Sequence, residues 1–314
     1  VDSHIHLYDM KHPELFYGHW QPGVPHPTLG DQIQKLAERS YFAEDYILET
    51  RNSNVIKAVH VQAAIGSKDP VKETEWLQEA ADRTGFPHGI IGYADLSHPD
   101  VENVLERHCE FPNMRGIRDF GEGDYLVNSA FHKGFALLDK YDLRVSVGVE
   151  WQNMEKLRIL ADRSPNTLIV VDHAGLPQER SNEYFVQWKK GMDTVARSDN
   201  IRCKISGLGM GEQNWTVSSI RPYVLHCIET FGVERCFFGS NWPIDWLWSS
   251  YDDLINAYTE ITSDFTLQEQ IALFSQNAEA IYDRPDVELV TAADRDVKRL
   301  DAFTQRYGIS NVYT

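Results

Sequence analysis

The sequence predicts an α/β protein, a single (β/α)8 TIM barrel, from three observations. Short apolar segments rich in β-branched residues alternate with stretches of helical apolar spacing, which is typical of a parallel sheet with crossover helices. Eight such segments occur in 314 residues, a length that suits one barrel with insertions. No glycine-rich phosphate turn follows the first segment, so a doubly wound open sheet is the weaker alternative.

Each predicted strand is an apolar run, and each predicted helix carries apolar residues three or four positions apart. The strands are Val1–His6, Val55–Ala63, His88–Asp95, Met114–Phe120, Leu143–Trp151, Thr167–His173, Ile201–Ser206 and Cys236–Ser240. The helices are Asp31–Arg39, Val71–Thr84, Val101–Cys109, Ala130–Tyr141, Asn153–Arg163, Tyr184–Arg197, Ile220–Phe231, Tyr251–Thr262 and Leu267–Tyr282.

The two ends of the chain differ in character. We assign residues 1–285 to the barrel, with 7–30 as a long loop rich in proline, histidine and aromatic residues. A long loop after a barrel strand lies on the catalytic face, so we expect it to roof an active site; a plain surface loop is the alternative. Residues 286–314 are charged and lack a strong apolar stripe. We expect them to pack on the barrel or at a subunit contact, and the sequence is compatible with a homo-oligomer.

Composition narrows the class of partner. The formal net charge is −17 at pH 7, which repels nucleic-acid phosphates and anionic membrane surfaces and favours a small-molecule substrate. Four cysteines are scattered without C-x-x-C spacing, which suits a reducing compartment. No apolar run reaches the length of a membrane span. We therefore expect a cytoplasmic protein that contacts neither nucleic acid nor membrane.

Polar residues close several of the apolar strands. The carboxyl ends of barrel strands converge on one site, so such residues are candidate catalytic groups. His4 and His6 lie two apart on the first strand, which turns both rings to the same side. The sixth apolar run ends in Asp172-His173, for which packing gives no reason. Other strands carry or end in His60 and Gln62, Arg118 and Asp119, Glu150, Lys204, and Asn241.

Three of these imidazoles suggest a metal. His4, His6 and His173, with an oxygen donor from the fifth or eighth strand, would suit one Zn²⁺ ion, which accepts nitrogen and oxygen ligands and keeps a position open for water. Such an ion lowers the pKa of the water and polarises a carbonyl group, so hydrolysis is the natural chemistry.

The ordered set of motifs resembles the amidohydrolase superfamily, in the lactonase-rich branch that includes 2-pyrone-4,6-dicarboxylate lactonase, L-fuconolactonase, L-rhamnonolactonase and sulfomuconolactone hydrolase. The resemblance rests on Asp2-Ser3-His4-Ile5-His6, Ala58-Val59-His60-Val61-Gln62-Ala63, Arg115-Gly116-Ile117-Arg118, Val171-Asp172-His173-Ala174-Gly175, Lys204-Ile205-Ser206-Gly207-Leu208 and Phe238-Gly239-Ser240-Asn241-Trp242-Pro243. It implies a distorted barrel and attack of water on a lactone, with His4, His6 and His173 at the family's histidine positions. Some members bind one divalent metal, whereas others work without any.

One position departs from the family pattern. Asn241 stands where the family usually has an aspartate that takes the proton of water, and an amide is no base near neutral pH. Asp245, Glu150 and His173 are the replacement candidates. Losing a negative ligand also weakens metal binding, so a mechanism without metal stays open.

The remaining polar and aromatic candidates would hold the substrate. Arg118 is the first choice for an anionic group because its planar fork pairs with a carboxylate, although an ion pair within the protein is the alternative. We also expect substrate contacts from Gln62, His60, Lys204, Trp20 and Trp242.

These features favour a hydrolase that opens a small, anionic lactone, with the carbonyl group polarised by the histidines with or without one divalent metal. Two alternatives remain. One is a metal-dependent decarboxylase of the same superfamily, and the other is a binding protein or pseudoenzyme that lost its base.

Overall fold

The computed structural model describes residues 1–21, 23–26, 29–119, 121 and 124–283, together with the backbone of 291–293 and 311–313. The chain divides into two compact units, Val1–Ile281 and Tyr282–Thr314. The first unit confirms the predicted barrel, because its eight strands are all parallel and follow one another around the sheet in chain order. The strands are β1 Asp2–Ile5, β2 Ala58–Val61, β3 Gly89–Tyr93, β4 Met114–Arg118, β5 Arg144–Val147, β6 Ile169–Val171, β7 Ile201–Ile205 and β8 Cys236–Phe238.

Helices follow the strands and cover the outside of the sheet. They are α1 Gln34–Ala37, α2 Ala43–Thr50, α3 Val71–Thr84, α4 Val101–His108, α5 Ser129–Lys140, α6 Met154–Arg163, α7 Asn182–Val195, α8 Val217–Phe231, α9 Tyr251–Ile261, α10 Leu267–Ile271 and α11 Asn277–Tyr282. The strands are shorter than predicted, since several predicted carboxyl ends belong to the loops that build the site. The last predicted helix is divided into α10 and α11 by a π-helical turn at Ala272–Gln276.

The sequence prediction missed α2. Its amino end is fixed by the Asp45 carboxylate, which accepts a hydrogen bond of 2.9 Å from the Phe42 backbone N–H. Only Ala43, Tyr46 and Thr50 of this helix are buried. Leu48 is 58% exposed, so an apolar residue on the solvent side obscures the helical periodicity. The predicted first helix, at 31–39, is instead a 3₁₀ turn followed by the short α1.

The barrel closes between the segment after β8 and β1. The Asn241 N–H donates to the His4 carbonyl at 2.8 Å, and the His6 N–H donates to the Trp242 carbonyl at 2.7 Å. Gly239 allows this approach, because a Cβ atom there would lie 2.7 Å from the His4 Cβ. The closure therefore sets His4 of β1, and His6 just after it, beside Asn241.

In the second unit, the described backbone forms two parallel strands, β9 Thr291–Ala293 and β10 Asn311–Tyr313. The prediction that 286–314 packs on the barrel or at a subunit contact mainly concerns residues outside the described ones. Among the helices of the described residues, none has the length and apolar character that crossing a bilayer requires.

Candidate active site

His4 and His6 face each other at the carboxyl end of β1. Their Nε2 atoms lie 3.2 Å apart, and both rings are buried. His6 Nδ1 lies 2.8 Å from the Val61 carbonyl oxygen. Since that oxygen only accepts, the His6 ring carries its proton on Nδ1 and presents a bare Nε2 to His4. Burial lowers the pKa of both rings well below the ordinary value, so both are neutral near pH 7.

Neither position of the His4 proton gives a hydrogen bond to both of its neighbours, His6 and Asp172. A proton on Nε2 satisfies His6, but it leaves a bare Nδ1 facing Asp172 Oδ1 at 3.9 Å. A proton on Nδ1 leaves two lone pairs opposed at Nε2. His4 Nδ1 has no hydrogen-bond partner in the described part of the chain. A cation bound to the ring removes the conflict, and on this ground the residues fit a metal ion.

Asp172 connects this histidine pair to two buried cations. Its Oδ1 lies 3.0 Å from Lys204 Nζ, and its Oδ2 lies 3.2 Å from Arg118 Nε. Burial alone would raise the pKa of this carboxyl group, but Lys204 and Arg118 hold it below its ordinary value. Asp172 is therefore an ionised group that joins β6 to side chains from β4 and β7.

His173 occupies a sharp turn at the end of β6. His173 and the two residues Ala174 and Leu176 have φ values of 54°, 51° and 48°, a region that costs an ordinary residue on the order of 1 kcal/mol. The turn brings His173 Nδ1 to 2.9 Å from Ser206 Oγ and its ring centroid to 4.4 Å from that of His4.

The His173 ring is also neutral. Its Nε2 lies 3.5 Å from Arg118 Nη2, which only donates. We therefore assign the proton to Nδ1, which donates to Ser206, and a bare Nε2 to the arginine side. Burial lowers the pKa of His173 to about 3; the Asp172 charge opposes this shift, and Arg118 and Lys204 add to it.

Three buried side chains are close enough to hold one metal ion. His4, Asp172 and His173 each offer a ligand atom, and these atoms lie within 4.8 Å of one another. The sequence prediction placed His6 in this set and left Asp172 out, although the run ending in Asp172-His173 was its sharpest signal. His6 remains adjacent through its contact with His4.

A cavity of about 270 Å³ opens above these residues. Among the predicted residues, seven line it, namely His6, Trp20, Gln62, Arg118, Glu150, His173 and Asn241. The prediction missed eight others, namely His19, His26, Leu29, Ala63, Leu176, Gln178, Met210 and Ile244. A separate cavity of about 220 Å³ near Val1 contains none of the predicted site residues.

The loop at 7–30 supplies one wall of the cavity. The Trp20 ring stacks on Tyr17 with ring centroids 5.7 Å apart and lies edge-on to His6 at 6.1 Å. His19 and His26 lie beside each other, with ring centroids 5.6 Å apart. His26 Nδ1 accepts the Leu29 backbone N–H at 3.2 Å, so the neutral ring carries its proton on Nε2. The high histidine content of this loop could have predicted that His19 and His26 line the cavity.

His60 lies outside the cavity wall and joins two loops. Its Nδ1 accepts the Leu7 backbone N–H at 3.0 Å, and its Nε2 lies 3.4 Å from Glu73 Oε1. The same carboxylate oxygen accepts the backbone N–H groups of Ala63 and Ala64, each at 2.8 Å. His60 thus fixes the segments that follow β1 and β2.

Lys204 and Trp242 are also set back from the cavity. Lys204 is fully buried against Asp172 beneath the histidines. The Trp242 indole N–H donates to Glu49 at 2.6 Å, and its ring packs edge-on to Tyr251. Both side chains support the site from behind rather than forming its wall.

The three candidates for the missing base have different surroundings. Glu150 lines the cavity and is partly exposed. Asp245 is fully buried behind Asn241, whose side-chain amide Nδ2 donates to Asp245 Oδ1 at 2.9 Å. His173 lines the cavity with a ring that accepts protons only weakly.

Comparison with known proteins gives the family. The family model described as Amidohydrolase matches residues 1–284. The uncharacterized protein y4mH of Sinorhizobium fredii is 39% identical over 294 residues, which are 90% of this chain and 97% of that protein. The L-fucono-1,5-lactonase of Burkholderia ambifaria is 26% identical over 81% of this chain and 83% of its own length.

A solved structure agrees in fold. An amidohydrolase from Burkholderia multivorans with bound zinc superposes with a TM-score of 0.78 at 23% identity, covering 90% of this chain and 99% of that one. At this identity the likeness concerns the fold. The family match over the whole first unit and the 39% identical relative decide membership. The chain is an enzyme of the amidohydrolase superfamily, in the branch that includes its L-fucono-1,5-lactonase relative.

Proposed function

We propose that this enzyme hydrolyses a small lactone. The observation that carries the proposal is the convergence of His6, His173, Arg118 and Asn241 on one cavity of about 270 Å³, a size that suits a single substituted ring. The relative named L-fucono-1,5-lactonase supports the same reaction class. Four cysteines outside any disulfide and a formal net charge of −17 suit a cytoplasmic enzyme.

The lactone carbonyl would lie toward Arg118 and the histidines. The guanidinium group donates hydrogen bonds to the oxygen that becomes negative as water adds to the carbonyl carbon. It is already held by Asp172 at 3.2 Å, so it needs little reorganisation. A divalent ion held by His4, Asp172 and His173 beside His6, for which we propose zinc, would supply further polarisation of the carbonyl and a lower pKa for water.

We assign the proton transfer to Glu150. It is the carboxylate among the described residues that line the cavity. Water gives a proton to Glu150 as its oxygen bonds to the carbonyl carbon. The bond between that carbon and the ring oxygen then breaks, and the ring oxygen takes the proton back from Glu150. The product is a hydroxy acid, and the water is the only co-reactant.

Arg118 favours a lactone that bears an anionic group, whereas Gln62 favours a neutral, hydroxylated one. Gln62 is 2% exposed, lines the cavity, and its Nε2 has no hydrogen-bond partner among the described residues. A substrate hydroxyl would satisfy it. Gln178, His19 and His26 add polar groups to the same wall. A hydroxylated lactone is therefore the second candidate substrate.

The test is a panel of anionic and hydroxylated lactones with a pH indicator, run with protein purified without added metal or chelator. Acid release supports the proposal. Carbon dioxide release from aromatic acids would instead identify a decarboxylase, and tight lactone binding without turnover would identify a binding protein. Metal content by mass spectrometry accompanies the panel. About one equivalent of zinc with chelator-sensitive activity supports the metal-assisted form, and full activity with no metal supports the histidines and Arg118 alone.

A further inference from the structure

Asn241 and Asp245 form a buried pair beside the cavity. Asn241 follows β8, lines the cavity and is 1% exposed, whereas Asp245 is 0% exposed. The Asn241 Nδ2 donates to Asp245 Oδ1 at 2.9 Å. The Asn241 backbone is also held, with a φ of 59° and its N–H bonded to the His4 carbonyl at 2.8 Å. The pair is thus tied directly to the strand that carries the histidines.

The hydrogen bond to Asp245 decides which end of the Asn241 amide faces the cavity. A side-chain amide has two donors on Nδ2 and two acceptor sites on Oδ1. Because Nδ2 is committed to Asp245, the carbonyl Oδ1 is the end turned away from it. Gly207 leaves room for this arrangement, since a Cβ atom there would lie 3.2 Å from Asn241 Nδ2 and 2.6 Å from His173 Nδ1. The cavity thereby gains an acceptor for an O–H group.

Asp245 itself is poorly suited to take a proton from water. Among the described residues that line the cavity, Asp245 does not occur. Burial raises the pKa of its carboxyl group to about 8; the Asn241 hydrogen bond opposes this shift, and the Asp2 charge adds to it. Near pH 7 the carboxyl group therefore already holds a proton. Its Oδ2 has no hydrogen-bond partner in the described part of the chain.

We propose that Asp245 is a positioning residue, which holds the Asn241 amide so that its carbonyl oxygen accepts a hydrogen bond from the attacking water. The inference rests on the proposed lactone hydrolysis and deepens it. Asn241 orients the water, Glu150 takes its proton, and Asp245 acts on the substrate only through Asn241. Loss of this orientation is expected to lower the rate by on the order of 100-fold.

Two substitutions at position 245 separate positioning from base catalysis. Asp245→Asn keeps an acceptor for Asn241 Nδ2 and cannot act as a base, whereas Asp245→Leu keeps the branched shape, with methyl groups that are larger than the oxygens, and has no acceptor. We expect Asp245→Asn to keep kcat within about threefold of wild type, and Asp245→Leu to lower kcat by about 100-fold with KM changed much less. The midpoint of urea unfolding checks that both variants fold. A large loss of kcat in both folded variants would indicate that Asp245 is the base. A kcat near the wild-type value in both would show that Asp245 does not position Asn241.

An exchange of the two residues is the second test. Asn241→Asp alone removes the amide donor from a contact that is now 2.9 Å, so the group that faces the water loses its fixed orientation and we expect a lower kcat. The double variant Asn241→Asp with Asp245→Asn restores a donor and an acceptor across the same contact. We expect it to exceed the Asn241→Asp variant in kcat by about tenfold or more. Equal rates for the two variants would overturn the pairing.

The pairing can also be tested apart from the activity. If the wild-type enzyme opens no lactone of the panel, the proposed function fails. Urea unfolding then tests separately whether Asn241 and Asp245 form a hydrogen bond. The urea midpoints of Asp245→Leu, Asn241→Leu and the double variant form a cycle. Shifts that do not add support a direct hydrogen bond, and additive shifts overturn it.

Discussion

Lys204 Nζ lies 3.0 Å from Asp172 Oδ1, and neither side chain is exposed to solvent. The other carboxylate oxygen contacts Arg118 Nε at 3.2 Å, so one buried anion fixes two cations at the bottom of the site. Lys204 does not line the cavity, whereas Arg118 does. Both contact the same Asp172 carboxylate, so Lys204 affects how strongly that carboxylate holds Arg118. The interaction links the packing of β7 to the chemistry at the ends of β4 and β6.

Lys204→Met is expected to lower the free energy of unfolding by about 1–3 kcal/mol, because it removes the cation beside Asp172 Oδ1 while Arg118 still pairs with Oδ2. Urea unfolding measures the loss. Lys190, which is exposed on α7, offers the matched control, and Lys190→Met should change stability by less than about 0.5 kcal/mol. A Lys204→Met variant as stable as the wild type would contradict the assigned ion pair.

Arg118→Met is expected to lower kcat for every lactone, because the guanidinium group also stabilises the negative carbonyl oxygen. It is expected to raise KM for anionic lactones by about tenfold or more while raising KM for neutral lactones much less. The reason is the fork that Arg118 offers to a substrate carboxylate. The variant also leaves Asp172 with Lys204 alone, so urea unfolding must accompany the kinetics. Each substrate class serves as the control for the other in the same preparation. An equal rise in both KM values would assign Arg118 to structure and to the carbonyl rather than to an anion on the ring.

The barrel could be predicted from the sequence because its signals are local. Apolar runs identify the strands, and polar residues at their ends identify the site, since the fold brings these ends together. His6, Arg118 and His173 meet at the cavity for that reason. Helix α2 was missed because Leu48 points to solvent and disturbs the helical pattern.

The parts that escaped prediction depend on contacts between distant segments. Whether a polar side chain lines the cavity or stands behind it is decided by its partner, and the partner lies elsewhere in the chain. His60 turns to Glu73 and Trp242 turns to Glu49. Periodicity predicts which face of a strand a side chain lies on. It does not predict whether the polar end of that side chain lines the cavity or lies buried behind it.

Gln62→Leu is expected to raise KM for hydroxylated lactones by about tenfold, because the variant cannot hydrogen-bond a substrate hydroxyl. The free energy of unfolding should stay the same or rise by about 1 kcal/mol, since the substitution removes a buried donor that has no partner among the described residues. Steady-state kinetics on lactones with and without hydroxyl groups, together with urea unfolding, measures both effects. Reduced stability with an unchanged KM would mean that Gln62 has a partner within the protein and no contact with substrate.

Asp245 predicts how stability depends on pH. An ordinary aspartate has a pKa of about 3.9, and burial raises the pKa of Asp245 in the folded state to about 8. The folded state therefore keeps a proton that the unfolded chain releases between these values. The stabilising contribution is complete below about pH 4 and is lost as the pH rises through about 8.

We accordingly expect the free energy of unfolding of the wild type to fall between about pH 5 and pH 9 more steeply than that of Asp245→Asn, whose amide does not titrate. Urea unfolding of both proteins at matched pH values measures the difference. Asp119, whose pKa is raised to about 6 by burial, is present in both proteins, so the comparison isolates Asp245. Parallel pH dependences would mean that the Asp245 carboxyl group is ionised in the folded enzyme, and the hydrogen bond from Asn241 would then join an amide to a charge.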